Sequence, residues 1–206
     1  TKPALITAAT TIQGGSGTYD PEGIAVAPDG TSWRASEGNR SGSRPNRLLQ
    51  VTPEGTLISE IGLPAEIEAC RAASANTSTL GSGFEGIAVK RGRWGAYKLL
   101  VAQQRGWDYT TAECEDLDDD DGGLNANGQP NRSRIWIYDP ATGQWDHFAW
   151  ELAPLPTNAS WVGLSEITAG PLGTYAVIER DNRTGDWTEL KTLVSVNRWS
   201  ARDGLI

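Results

Sequence analysis

Glutamates and arginines recur in three similar stretches of the chain, and these residue types can bind cations and phosphate. Each stretch opens on a glutamate before an apolar strand, and a second strand then ends in a polar cluster. The candidate catalytic residues are Glu22, Glu37, Glu85, Glu166 and Glu179, and the candidate substrate-binding residues are Arg40, Arg105, Arg180, Asn39 and Asn182. Carboxylates bind Ca²⁺ or another divalent ion, and arginine pairs with phosphate oxygens. Together they could hydrolyse a phosphate ester with a cation that activates water.

These stretches belong to a repeat of four short strands. The openings are EGIAV at 22–26, EGIAV at 85–89 and EITA at 166–169. From the opening glutamate to the base that starts the third strand, the spacing is 25, 49 and 25 residues, so the middle unit carries an insertion at about 107–132. Four antiparallel strands per repeat predict the blades of a β-propeller. A β-sandwich with chance similarity is the alternative.

We expect one all-β, partial propeller domain over 1–206, with blades at about 22–64, 85–154 and 166–206. Propellers close with about four to eight blades, and terminal blades of an open arc would expose apolar faces. We therefore expect the remaining part of the propeller, in another chain or fragment, to be a partner of this chain.

The repeat also predicts where the polar residues meet. Antiparallel pairing places the start of one strand beside the end of the next. Glu22 is therefore predicted near Glu37, and Glu166 near Glu179, at the mouth of the channel. Glu85 is predicted near Gln103 and Gln104. A structural interpretation stays open, because residues that recur in every blade can also form salt bridges between blades.

The acidic insertion is a second candidate site. The chain has 26 acids and 18 bases, and the stretch 108–121 holds eight acids and no base, so the remainder is balanced. A protein without a basic field is not expected to bind nucleic acid. The candidate metal ligands are Asp116, Asp118, Asp120, Asp121 and Asn125. Their spacing departs from the EF-hand pattern, and a solvated acidic loop is the alternative.

The chain has two cysteines, Cys70 and Cys114, and one histidine, which argues against a zinc site. Both cysteines fall in loops that are predicted to emerge on the same face of the propeller. They could form a disulfide that holds the insertion beside the channel mouth, which favours a location outside the reducing cytosol. Two unrelated thiols are the alternative. No apolar run approaches the roughly 18 residues of a membrane span.

Several segments resemble the phytase-like family of secreted bacterial proteins, whose name refers to an esterase-like activity of phytase. They are DPEGIAVAPDG, GFEGIAV, RIWIYDPATGQW and GLSEITAGPLGTYAVIERD, within about residues 20–197. The resemblance implies a β-propeller, export and a phosphoester hydrolase. It also implies that a family domain extends beyond both ends of this chain.

The leading hypothesis is therefore a secreted or periplasmic, metal-dependent hydrolase of small phosphate esters, with its site at the channel mouth. Two alternatives stay open. One is a non-catalytic propeller that binds protein or glycan partners, because a fold does not determine a function. The other is a lactonase-like sugar hydrolase, because such propellers also hold a divalent ion with acidic and amide side chains.

Overall fold

The computed structural model describes residues 18–39, 43–73, 82–107 and 131–197. These residues form mostly short strands, joined by turns. In chain order the elements are β1 (Pro21–Val26), β2 (Ser32–Ser36), β3 (Arg47–Val51), β4 (Leu57–Ile61), α1 (Ala65–Ala73), β5 (Phe84–Arg91), β6 (Tyr97–Gln103), β7 (Arg132–Asp139), β8 (Gln144–Glu151), β9 (Val162–Ala169), β10 (Thr174–Asp181) and β11 (Lys191–Asn197).

The strands form three antiparallel sheets in which neighbours along the chain are neighbours in space. The first sheet runs β1-β2-β3-β4, the second β5-β6-β7-β8, and the third β9-β10-β11 within the described residues. The first strands of successive sheets contact each other, β1 with β5 and β5 with β9. The sheets are blades of a β-propeller, and the predicted all-β fold class is confirmed.

Two apolar clusters fill the spaces between the blades. One includes Trp33, Leu48 and Phe84 and lies between blades one and two, and the other includes Ile135 and Leu164 and lies between blades two and three. Blade two is therefore covered on both faces, which explains why β5, β6 and β7 are almost continuously buried. A strand with one open face alternates instead, as β2 does.

The glycine of the repeated Glu-Gly pair allows neighbouring blades to approach. A Cβ atom at Gly23 would lie 2.5 Å from the carbonyl oxygen of Glu85, and one at Gly86 would lie 2.4 Å from the amide nitrogen of Ile167. Side chains cannot fit at these distances, so only glycine permits this contact. The close approach brings the openings of the first strands together, where the glutamates lie.

The connection between blades one and two contains the helix α1, which the repeat pattern did not predict. Its sequence AEIEACRAA consists mostly of good helix formers, with Glu66 and Glu68 in the first turn and Arg71 in the last, where each suits the helix dipole. Cys70 anchors the helix in the cluster between blades one and two. Among the described residues, no helix is long and apolar enough to span a membrane.

Candidate functional site

Strand pairing shows which positions of the three blades are equivalent. In every first strand the register shifts after its opening residues, so that one or two residues bulge out of the ladder. Glu22 lies at the bulge of blade one, and Glu85 at that of blade two. In blade three, Leu164 pairs with Glu179 and Glu166 with Ile178, which leaves Ser165 at the bulge. Ser165, rather than Glu166, is therefore equivalent to Glu22 and Glu85.

This finding corrects the alignment of the third repeat by one residue. Gly23 lies against Gly86, and Gly86 in turn lies against Glu166, so Glu166 occupies the glycine position of its blade. An alignment on the glutamates could not reveal this, because the bulge has no signal of its own in the sequence. The segments GFEGI and GLSEI do match from their first glycine onward.

The residue type at the position after the second strand also differs from blade to blade. Ser36, Gln103 and Glu179 pair with the openings of the first strands. The next residues, Glu37, Gln104 and Arg180, are therefore equivalent. This position is therefore acidic in blade one, neutral in blade two and basic in blade three.

The strongest candidate for a cation site is a group of three carboxylates in blade one. Asp20 precedes β1, Glu22 lies at its bulge, and Glu37 follows β2. One carboxylate oxygen of each lies within 4.8 Å of those of the others. The backbone N–H of Glu37 donates to the carbonyl of Asp20 at 2.8 Å, which fixes the two loops side by side. The prediction that Glu22 lies near Glu37 thus agrees with the structure.

Burial, and then repulsion between neighbouring acids, raises the pKa values of these carboxylates. Burial, and then the charges of Glu85, Glu22 and Asp20, raises the pKa of Glu37 to about 8. Burial and the charge of Glu22 raise the pKa of Glu85 to about 7, although Arg180 opposes this rise. Partial burial and Asp20 also raise the pKa of Glu22. A bound cation would stabilise these carboxylates in their ionised form.

Glu85 stands next to this group and is held in place. Its side chain is buried, and the Nε2 of Gln104 donates to its Oε1. Gln103 points elsewhere, since its Oε1 accepts from the indole N–H of Trp136 at 2.8 Å. Of the two amides predicted near Glu85, Gln104 therefore belongs to the site and Gln103 to the interior of the blade.

Two arginines contact one indole ring near these acids. The guanidinium carbon of Arg105 lies 4.8 Å from the ring centroid of Trp161, and that of Arg180 lies 5.0 Å from the same ring. The Nε of Arg105 donates to Ser82 Oγ at 2.8 Å. Burial lowers the pKa of Arg105, and the charge of Glu37 opposes this. The site thus combines carboxylates with two guanidinium groups around one indole.

The remaining predicted acids contact backbone groups. The Oε1 of Glu166 accepts from the N–H of Ile167 at 2.8 Å, and its carboxylate also accepts from the N–H of Ile87 in blade two. Partial burial raises the pKa of Glu166, and both hydrogen bonds lower it. Glu179 is buried and accepts from the N–H of Ala153 in the connection between blades. Glu166 and Glu179 therefore tie neighbouring segments of the fold together.

The two predicted asparagines also support loops. Asn39 Oδ1 accepts from the N–H of Arg44 at 3.0 Å and closes the loop after β2. Asn182 Oδ1 accepts from the N–H of Ser160 at 2.7 Å and faces that of Trp161 at 3.4 Å. Asn39 acts locally, whereas Asn182 fixes the segment that carries Trp161.

Several predicted residues lie outside the described residues. They are Arg40, Asp116, Asp118, Asp120, Asp121, Asn125 and Cys114. Cys70 is buried in the core, and its disulfide with Cys114 stays a prediction.

Sequence reasoning missed four contributors to the site. Asp20 and Trp161 lie in turns next to predicted strands, and Arg44, which forms an ion pair with Asp20, lies in the loop after β2. Asn46 is fully buried, and its Oδ1 accepts from the N–H groups of Gly38 at 3.0 Å and Phe84 at 3.1 Å, so it joins blades one and two. Of these four residues, only Asp20 could have been found from the sequence, because it is an acid two residues before the candidate Glu22.

Two solved structures resemble the chain at low sequence identity. A protein of unknown function from Bacteroides caccae is 12% identical, with a TM-score of 0.35, over 87% of this chain and 46% of its own. An exo-1,5-alpha-L-arabinanase from a bovine ruminal metagenomic library is 14% identical, with a TM-score of 0.38, over 85% of this chain and 51% of its own. The chain thus spans about half the length of these structures. Among curated proteins, none matches it.

The resemblance that the repeated segments indicated extends over nearly the whole sequence. The profile of one family, described as phytase-like with esterase-like activity of phytase, matches residues 1–205. The match includes all three blades and the acidic group at their openings. This chain therefore belongs to the phytase-like family.

Proposed function

We propose that this protein is a hydrolase of phosphate esters that requires a divalent cation and acts at the mouth of the propeller channel. The observation that carries the proposal is the convergence of Asp20, Glu22 and Glu37, whose oxygens lie within 4.8 Å of one another. Arg180 faces the same group, since its charge acts on both Glu22 and Glu85. A cation site and a positive group for phosphate would then be adjacent.

The donor set suits Ca²⁺. All three side chains offer oxygen, the ligand that hard cations prefer, and three carboxylates leave positions for water and for substrate oxygens. Burial, and then repulsion by Glu85, Glu22 and Asp20, raises the pKa of Glu37, and a bound cation would offset both effects. When bound, a divalent ion polarises the phosphoryl oxygens and so favours attack on phosphorus.

The remaining side chains have distinct roles in this proposal. Arg180 and Arg105 bind the phosphate oxygens through charge-assisted hydrogen bonds. Glu85, which Gln104 orients, accepts the proton of the attacking water. The bond between phosphorus and the ester oxygen then breaks, and the leaving oxygen takes a proton from solvent. Fixed donors that face the phosphate stabilise its charge without having to reorganise.

Phosphate release from a panel of monoesters tests the proposal, with the complete protein and with Ca²⁺ or a chelator present. We expect release that stops on chelation and is reduced at least a hundredfold in Glu37→Gln. Glu54→Gln is the matched control, because Glu54 is an exposed acid in the turn between β3 and β4. Absence of release from every ester would contradict the proposal, as would chelator-sensitive turnover of lactones alone, which would favour the lactonase-like alternative.

We also propose that further blades, in another chain or fragment, complete the propeller. Ile24 and Val26 are 62% and 61% exposed on the face of blade one that points away from blade two. Ile178 and Leu193 pair on β10 and β11 and are exposed in blade three. Native mass spectrometry of the purified material tests this, because a second polypeptide is expected and a lone 22.1 kDa species would contradict it.

The same proposal includes a secreted or periplasmic location. Its support is membership of the phytase-like family, whose members are typically secreted. Fractionation of the native host tests it, and recovery of the protein only from the cytosol would contradict it.

A further inference from the structure

Two arginines from different blades meet on one indole ring. Arg105 follows β6 of blade two, Arg180 lies on β10 of blade three, and Trp161 precedes β9. Both guanidinium carbons lie within 5.0 Å of the ring centroid of Trp161. Each contact is a cation–π interaction, which is worth more where the ring is partly shielded from water. The arrangement places two positive charges on one ring.

Hydrogen bonds support two members of this group, Arg105 and Trp161. Arg105 is held by Ser82, whose Oγ accepts from its Nε at 2.8 Å. The backbone of Trp161 is fixed by Asn182, whose Oδ1 accepts from Ser160. The three central side chains, Arg105, Trp161 and Arg180, are half-buried and therefore reachable from solvent. The group is a preformed cationic surface rather than three independent side chains.

The nearby acids act on both arginines through their charges. The charge of Glu37 acts on Arg105, and that of Arg180 acts on Glu22 and Glu85. Among the described residues, none of the ion pairs within 4.0 Å includes Arg180. Its Nη1 lies 3.4 Å from the carbonyl of Asp181, a long and weak contact. Donors of Arg180 are thus oriented by the ring without being used by a carboxylate.

We propose that Arg105 and Arg180, held on Trp161, form an anion subsite that binds a phosphate dianion. Two adjacent cations favour a ligand with two negative charges over a ligand with one, since each charge interacts with both guanidinium groups. The subsite therefore selects the terminal phosphate of a monoester over a phosphodiester. Trp161 is a positioning residue that sets the spacing of the two arginines. The assignment to a substrate rests on the proposed function, but binding of phosphate needs no turnover.

Isothermal titration of inorganic phosphate into the complete protein, with chelator and at constant ionic strength, tests the subsite. Arg180→Gln and Trp161→Ala are each expected to weaken phosphate binding about tenfold, the value of one charge-assisted hydrogen bond. Trp161→Phe keeps an aromatic face and is therefore expected to bind phosphate with most of the wild-type affinity, unlike Trp161→Ala. Trp94→Phe is the matched control, because Trp94 is 100% exposed. Dimethyl phosphate, a monoanion, is expected to bind at least tenfold more weakly than phosphate.

The subsite is refuted if the wild-type protein does not bind phosphate, if Arg180→Gln binds it unchanged, or if dimethyl phosphate binds as well as phosphate. Arg180→Gln keeps the test valid if Trp161→Ala fails to fold, since the Arg180 side chain is half-exposed. Phosphate binding without ester turnover would refute the proposed function and leave the subsite standing. Ester turnover by the wild type, together with unchanged phosphate binding in Arg180→Gln, would support the proposed function and refute the subsite.

Discussion

Gly23 lies against the backbone of Glu85 across the boundary between blades one and two. A Cβ atom at position 23 would be 2.5 Å from the carbonyl oxygen of Glu85. The two residues of the repeated Glu-Gly pair therefore have separate roles. The glycine allows the first strands to touch, and Glu22 at the bulge of blade one then lies near Glu85 at that of blade two. The contact therefore adds Glu85 to the surroundings of the three carboxylates of blade one.

Gly23→Ala is expected to lower the free energy of unfolding by about 1–3 kcal/mol, because the added methyl group meets backbone atoms that cannot turn away. It is also expected to weaken Ca²⁺ binding, because the first strand of blade one must shift next to Glu22, one of the three carboxylates of the proposed cation site. Denaturant unfolding and calcium titration measure the two effects.

The control for this prediction is Gly143→Ala in the turn between β7 and β8. Gly143 has a φ of 73°, and a Cβ atom there would meet nothing within 4 Å. Gly143→Ala is expected to lower the free energy of unfolding by about 1–2 kcal/mol through backbone strain alone. Calcium binding should therefore not change. Equal calcium affinities for the two variants would contradict the role given to Gly23.

Asp20→Asn is expected to weaken Ca²⁺ binding about tenfold or more, because it removes one of three carboxylates whose oxygens converge within 4.8 Å. The ion pair with Arg44 is lost with it. Calorimetric titration of the metal-free protein measures the affinity. Asp29→Asn, at an exposed turn residue between β1 and β2, provides the comparison and should bind calcium as the wild type does. If Asp20→Asn binds calcium with unchanged affinity, the cation does not bind at these three carboxylates.

Glu166→Gln is expected to reduce stability without abolishing catalysis. The carboxylate of Glu166 accepts from the N–H groups of Ile167 and Ile87 and so joins blades two and three. An amide replaces a charged acceptor there, at a cost of about 1.5–3 kcal/mol. Unfolding in denaturant measures the loss, and phosphate release per folded molecule should stay within about threefold of wild type.

Glu85→Gln is the contrasting variant, because Glu85 lies at the bulge of its blade and is the residue that we propose to accept the proton of the attacking water. We expect it to lose phosphate release with little change in unfolding. If Glu166→Gln instead loses release while its unfolding is unchanged, Glu166 acts on the substrate and the structural role is wrong.

The metal-free protein is expected to become less stable as the pH rises toward 8. The pKa of Glu37 is raised from 4.5 to about 8, and that of Glu85 to about 7, mainly by burial and then by neighbouring acids. Between pH 4.5 and 8 the folded state binds more protons than the unfolded state, so stability falls with rising pH. The contribution is complete below about pH 4.5 and is lost as the pH passes 7 and then 8.

Melting temperatures in chelator from pH 5 to 8.5 measure this dependence. Glu37→Gln should flatten the decline, whereas Glu54→Gln, in an exposed turn, should preserve it. Calcium should stabilise the protein most at the upper end of the range, where the carboxylates are ionised. A melting temperature that rises with pH over this range without calcium would contradict the raised pKa values of Glu37 and Glu85.

The fold was predictable because its signals are local. Strands such as RIWIYD and the turns after them are short patterns, and their repetition three times indicated a propeller before any contact was known. The placement of Glu22 near Glu37 was predictable for the same reason, since consecutive antiparallel strands meet at their ends. The family resemblance drew on the same segments.

Tertiary structure alone decided the contacts between blades and the register of the third one. A bulge changes which residue faces the channel without changing the apolar pattern, and it therefore placed Ser165 where an alignment on glutamate placed Glu166. Trp161 looked like one of many buried tryptophans until Arg105 and Arg180 were seen on its ring. Pairing along a strand is encoded by nearby residues, whereas contact between blades depends on residues far apart in the chain. The sequence determined the blades and the placement of Glu22 near Glu37 within one of them. The packing of blade against blade brought Glu85, Arg105 and Arg180 from the other blades close to these acids.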